Sequence, residues 1–231
     1  MVLGKLSMII TPILTAYYSR LIHAEISIKD AYIRTSKAIV ALLAPALIGL
    51  IVVAENAIFV VIGDKWLEMV PLLQLLCVTA LLQSITLNSA PLFNALGKPG
   101  VVVQCNALSA LIMPVFIILG GYNFGLMGVC YAWLLGYPLV LFYILYLISK
   151  HISISVFDSL LGIKSAIISS LIMGFAVYYG QSILLESFNP ILSLLLSIIL
   201  GAFTYMLAMW VLFKKDVQAI IKSKKEISKV G

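Results

Sequence analysis

The sequence predicts an all-α fold, a polytopic membrane helix bundle of about seven transmembrane helices. Three observations predict it. Hydrophobic residues make up 63% of the chain and charged residues only 10%, where soluble domains carry roughly 25% charged residues. The mean hydropathy is +1.15. The few charges bracket long uncharged runs, and a run of about 20 apolar residues is what crosses a bilayer as a helix.

Taken in order, the runs place the spans. Lys5 and Arg20 bracket the first, near 2–18. The second, near 31–54, stops at Glu55 and carries Arg34 and Lys37 close to its start. Ala57–Ile62 is apolar but too short to span, and is expected at the interface or as an extension of the second helix. The third, near 67–92, has no charge between Glu68 and Lys98. Its Gln74, Cys77, Ser84 and Asn88 fall at helical spacing on one side, which predicts a polar inner face. Pro71 and Pro91 sit near its ends, where broken backbone bonds are easiest to tolerate. Gly97-Lys98-Pro99-Gly100 then turns the chain. The uncharged run from Lys98 to Lys150 is too long for one helix, and the Gly120-Gly121-Tyr122-Asn123-Phe124-Gly125 cluster divides it into spans near 100–120 and 123–147. Two more follow near 162–184 and 190–213, leaving 214–231 as a basic tail.

Orientation follows from the basic residues. With the tail cytoplasmic, only Lys5 and Lys65 of the 15 lysines and arginines fall outside, as the positive-inside rule requires. Basic residues spread along one membrane face serve topology and contact with membrane lipids. The net charge of +6 therefore does not imply a nucleic-acid partner. Cys77, Cys105 and Cys130 lie in apolar runs without paired spacing, so neither a disulfide nor a metal site is expected. His23 and His151 have no second ligand at metal spacing. The nine acidic residues are scattered singly. With no phosphate loop and no nucleophile motif, no cofactor and no catalysis are expected.

Gly63-Asp64-Lys65-Trp66 stands between an apolar helix and a run that begins at Pro71 and passes through Leu81-Leu82-Gln83-Ser84. Pro12 precedes Tyr18-Ser19-Arg20. Asn94-Ala95-Leu96-Gly97-Lys98 and Gly125-Leu126-Met127-Gly128-Val129-Cys130-Tyr131-Ala132 follow. In order and spacing these stretches resemble the Wzx-type polysaccharide and lipopolysaccharide O-unit flippases, the colanic-acid-exporter-like branch of the multidrug/oligosaccharidyl-lipid/polysaccharide superfamily. The resemblance covers most of Met1–Leu147. It implies half of a two-bundle transporter that flips undecaprenyl-diphosphate-linked oligosaccharide across the bacterial inner membrane. It also implies an N-terminal half or other glycan-assembly proteins as partners. The orientation above puts the N-terminus outside, with Met1 almost directly in an apolar helix. On this reading the chain is the C-terminal portion of a longer transporter, a fragment or a separately encoded half.

Such a substrate needs a polar, partly cationic path through about 30 Å of hydrocarbon. Arg34 and Lys37, three apart on one helical face, are the cationic candidates for its diphosphate. A charge at mid-membrane costs about 2.5–3.5 kcal/mol, so one kept there has a use. The alternative is that both reach the inner interface as topology anchors. Gln74, Ser84 and Asn88 are candidates to meet sugar hydroxyls. Their alternative is interhelical hydrogen bonding, worth about 0.6 kcal/mol per bond. Two other functions remain: a multidrug-extrusion antiporter of the same superfamily, and a membrane-embedded glycan polymerase or ligase. The short connections speak against the enzyme, which would carry a long periplasmic loop.

Overall fold

The computed structural model describes residues 2–185 and 189–212. The predicted basic tail 214–231, the end of the last predicted span and the side chain of Lys5 lie outside this description. Nearly every described residue is helical, and none is in a strand. In chain order the helices are α1 (Val2–His23), α2 (Ile28–Val52), α3 (Ala54–Val61), α4 (Val70–Thr86), α5 (Ser89–Ala95), α6 (Pro99–Ile152), α7 (Val156–Gly180) and α8 (Pro190–Leu212). A 3-10 helix, Asp64–Met69, leads into α4, and π-helical turns, Gln181–Leu185, extend α7. Among the described residues, five stretches are long and apolar enough to cross a membrane: Ile28–Val52, Asp64–Ala95, Pro99–Ile152, Val156–Ile183 and Pro190–Val211.

Proline marks several helix starts. Pro71, Pro91, Pro99 and Pro190 all lie within a first turn, where the missing N–H would have had no partner in any case. Pro91 also bears on a local feature of the stretch Asp64–Ala95. Within it, α4 ends at Thr86 and α5 begins at Ser89. Restarting the helix at Ser89 puts Pro91 in the first turn of α5 rather than in the middle of a longer helix. Asn88 stands at the junction.

The stretch α6 covers 54 residues but is not one rod, because Gly125 takes the non-helical conformation φ 58°, ψ −138°. A left-handed φ suits glycine, which has no Cβ to clash. Beyond Gly125 the chain folds back on itself. A methyl group added to Gly128 would lie 1.8 Å from the carbonyl oxygen of Gly120, and one added to Gly136 would lie 3.2 Å from the sulfur of Met113. In a straight helix Gly120 and Gly128 would stand about 12 Å apart, at 1.5 Å per residue. The stretch is therefore a helical hairpin whose arms meet backbone to backbone at two glycines.

The helices form two compact units. Among the described residues, unit 1 comprises 2–39 and 79–162, and unit 2 comprises 40–78, 163–185 and 189–212. Tyr18, Tyr32, Leu92, Phe93, Leu145 and Ile148 are fully buried in the core of unit 1. The ring of Phe93 meets His151 edge-on, with centroids 5.5 Å apart. In unit 2, α3 packs on α8, and α2 and α7 touch at Gly174, where an added methyl would fall 2.9 Å from Ile48. Unit 2 also repairs a gap in α2. Pro45 has no N–H, so the carbonyl of Ala41 one turn earlier loses its usual helical donor. The hydroxyl of Tyr205 on α8 donates to that carbonyl at 2.8 Å.

Candidate functional site

Unit 1 holds a neutral polar cluster built around Asn88. Asn88 lies between α4 and α5, and its amide meets α1 and α2, where it is completely buried. Its Nδ2 lies 2.6 Å from the Tyr18 hydroxyl, 2.6 Å from the Thr35 hydroxyl and 3.1 Å from the Ser36 hydroxyl. The Tyr32 carbonyl is 3.5 Å away. Tyr18 and Thr35 are also hydrogen-bonded to each other, and Thr35 bonds back to the Ala31 carbonyl at 2.9 Å. An amide has two N–H hydrogens, so this donor is shared among more acceptors than it can serve at once. Its Oδ1 is buried with no hydrogen-bond partner among the described residues. One turn away in sequence, the Thr86 hydroxyl meets that of Tyr137 on α6 at 2.6 Å. α1, α2, α6 and the α4–α5 junction are thus tied together by uncharged groups. Within hydrocarbon such bonds hold helices in register, since no hydrophobic force separates helix from lipid.

The structure brings together only part of the set expected from the sequence. Asn88 is central to the cluster. Ser84 is buried, but its hydroxyl donates to the carbonyl of Leu81 on its own helix, at 2.6 Å. Gln74 lies in unit 2, where its Nε2 donates to the Ile51 carbonyl at 3.0 Å. Ile51 belongs to the last turn of α2, whose carbonyls have no partners within the helix, so Gln74 closes one of them. Arg34 and Lys37 are both partly buried on α2. Arg34 Nε donates to the Asp30 carbonyl at 3.3 Å. At about 100° per residue, these two are centred on the side of α2 opposite Thr35 and Ser36. The cationic pair and the Asn88 cluster therefore occupy different faces of one helix.

Tyr18, Thr35, Ser36, Tyr137 and Tyr205 are the polar groups that the sequence reading did not single out. Thr35 and Ser36 sit between Arg34 and Lys37, which makes four consecutive polar residues at the start of a span; that was the available signal. For Tyr18 and Tyr205 the part played by the hydroxyl emerges only from the partners that the fold brings to it. Cys77, Cys105 and Cys130 are buried free thiols. Among the described residues no group of three or more His, Cys, Asp or Glu side chains is placed to hold a metal ion.

Several apolar helices of spanning length, joined by short connections and pinned by buried polar contacts, define a multi-pass helical membrane protein. Comparison with known proteins narrows this. Residues 1–71 match the family model described as polysaccharide biosynthesis protein. The chain is 36% identical over 91 residues to the lipopolysaccharide biosynthesis protein WzxC of Escherichia coli (strain K12), a match covering 39% of this chain and 18% of that protein. It is 29% identical over 133 residues to an uncharacterized membrane protein in the cps region of Klebsiella pneumoniae, covering 57% of this chain and 27% of that protein. The matches thus span about a fifth and about a quarter of these relatives' lengths. No solved structure matches. Together the matches support the resemblance to the Wzx-type polysaccharide flippases.

Proposed function

We propose that this chain contributes one helix bundle to a transporter that flips lipid-linked oligosaccharide across the bacterial inner membrane, for surface polysaccharide or lipopolysaccharide assembly. The observation that carries the proposal is the match of residues 1–71 to the polysaccharide biosynthesis family, joined to 36% identity with WzxC. The work is translocation rather than bond-making chemistry. The distribution of lysine and arginine supports a cytoplasmic C-terminus.

Arg34 and Lys37 supply the cationic part of the path. They share one face of α2, a helix of membrane-spanning length, and that face is free of the Asn88 cluster. Two nearby cations in a low-dielectric mouth attract a diphosphate over a distance. They hold it loosely enough that the headgroup can leave on the far side. Gln74, Ser84 and Asn88 contribute less directly. Their side chains are engaged within the protein, and they shape the bundle that lines the path.

Replacing Arg34 and Lys37 together with glutamine in the chromosomal gene tests this. Surface glycan should fall by about tenfold or more, equivalent to 1.4 kcal/mol, while membrane-inserted protein stays at the wild-type level. Full glycan export by a well-inserted double variant removes the guiding role. Loss of insertion with normal export per inserted molecule makes the pair a topology anchor only.

A further inference from the structure

A cavity of about 540 Å³ lies within unit 2, walled by α2, α7 and α8, with Ala57 of α3 at one side. Its depth comes from small residues, Pro45, Gly49 and Gly201 among them, and Met173 and Met206 form deformable walls. Among the described residues no charged side chain lines it. Two lining residues carry hydroxyls, and both hydroxyls are already engaged. Ser197 donates to the Ser193 carbonyl at 2.7 Å and accepts from Gln181 Nε2 at 3.2 Å. Tyr205 donates to the Ala41 carbonyl at 2.8 Å.

These facts restrict the occupant. A buried water needs about 2–4 polar partners, which these walls do not offer. A ligand with its own polar groups would leave them unpaired, at a cost in free energy. Hydrocarbon is the chemistry that remains. Apart from Ala57 of the short α3, its walls are helices long and apolar enough to cross a membrane, so the hydrocarbon they meet is that of the bilayer. A neighbouring helix fits poorly. With side chains a helix is about 10–12 Å across and rises 5.4 Å per turn, so this volume accepts roughly one turn. A spanning helix would gain only that turn of contact. A flexible chain fills an irregular slot along its own length, and the bilayer supplies such chains to every groove that opens into it.

We infer that this cavity binds one acyl chain of a bilayer phospholipid. The chain completes the packing between α2 and α8 beside the Tyr205–Ala41 bond, and its binding needs no transported substrate.

The test uses the chain reconstituted in vesicles of phosphatidylethanolamine and phosphatidylglycerol, doped with phosphatidylethanolamine bearing a diazirine in one acyl chain. After irradiation, adducts are mapped by peptide mass spectrometry. They should concentrate on Gly49, Met173 and Met206, and should plateau as probe increases. Adducts on Leu111 and Phe142, exposed apolar residues of unit 1, should rise in proportion to probe. Ala46→Phe and Ala202→Phe place a ring in the cavity from two exposed wall positions. Each should abolish the cavity adducts and spare those on Leu111. Should either variant fail to fold, plateau behaviour in the wild type decides alone. An even spread of adducts, no plateau, or cavity adducts that persist in both folded variants would overturn the inference. So would displacement of the probe by polyprenyl phosphate at a small fraction of the phospholipid concentration, which would assign the cavity to an isoprenoid instead.

Discussion

Asn88 joins three helical elements through one amide, and its burial makes it expensive to lose. Removing it takes the shared donor from the hydroxyls of Tyr18, Thr35 and Ser36 and leaves an empty space beside them. Asn88→Ala should therefore cost about 1–3 kcal/mol, the range for leaving buried polar groups unpaired. Gln74→Ala should cost only about 0.6 kcal/mol, since it frees a single carbonyl at a helix end. Thermal unfolding in detergent measures both, and a Gln74 variant as damaging as the Asn88 variant would contradict the ranking. Tyr205 makes a sharper test. Tyr205→Phe should lose about 0.6–1.7 kcal/mol by opening the Ala41 carbonyl. Pro45→Ala restores an N–H that can take the same carbonyl, so the double variant should recover most of that loss. Simple additivity of the two effects would mean that the bond does not answer the proline gap. At this scale the sequence revealed the need but not the partner. Pro45 announces an open carbonyl, yet its donor lies 164 residues further along than Ala41, and no local pattern connects them.

The hairpin in α6 carries its own prediction. Gly120 and Gly128 meet so closely that no side chain fits between the arms. Gly128→Ala should splay them and cut the yield of folded protein, at a cost of about 1–3 kcal/mol or more for overpacking. Gly121→Ala is the matched control, because its new methyl would meet Val129 at an ordinary 3.5 Å. Equal behaviour of the two variants, compared by size-exclusion profile and unfolding temperature, would count against the backbone contact. The turn at Gly125 could be read from the sequence, because an uncharged run of that length has to reverse and the glycines sit where it does. The break at Asn88 was less legible. The helical spacing of Gln74, Cys77, Ser84 and Asn88 suggested one continuous face, and Pro91 was the competing signal. Asn88 is central through its partners on α1 and α2, which spacing within one helix does not reveal.

For the whole molecule, composition and charge placement were enough to give the class, because an uncharged run of spanning length is stable in few other settings. The division into two units was not legible. Helix packing in hydrocarbon depends on shape and small-residue contacts, which hydropathy does not record. Topology is open to direct test. A single cysteine at Lys98, in a background without Cys77, Cys105 and Cys130, should be labelled only by a membrane-permeant reagent. One at Lys65 should react with an impermeant reagent from outside. The reverse pattern would invert the orientation. The transport claim rests most directly on what the protein binds. Binding should be measured side by side for polyprenyl-diphosphate-linked oligosaccharide and for an amphipathic organic cation, using protein purified from its native membrane. The account predicts that the glycan lipid binds at least about tenfold more tightly, a difference of 1.4 kcal/mol, and that the Arg34→Gln, Lys37→Gln variant loses most of that margin. Tighter binding of the organic cation, unaffected by the double substitution, would contradict the account and mark a drug-extrusion protein instead.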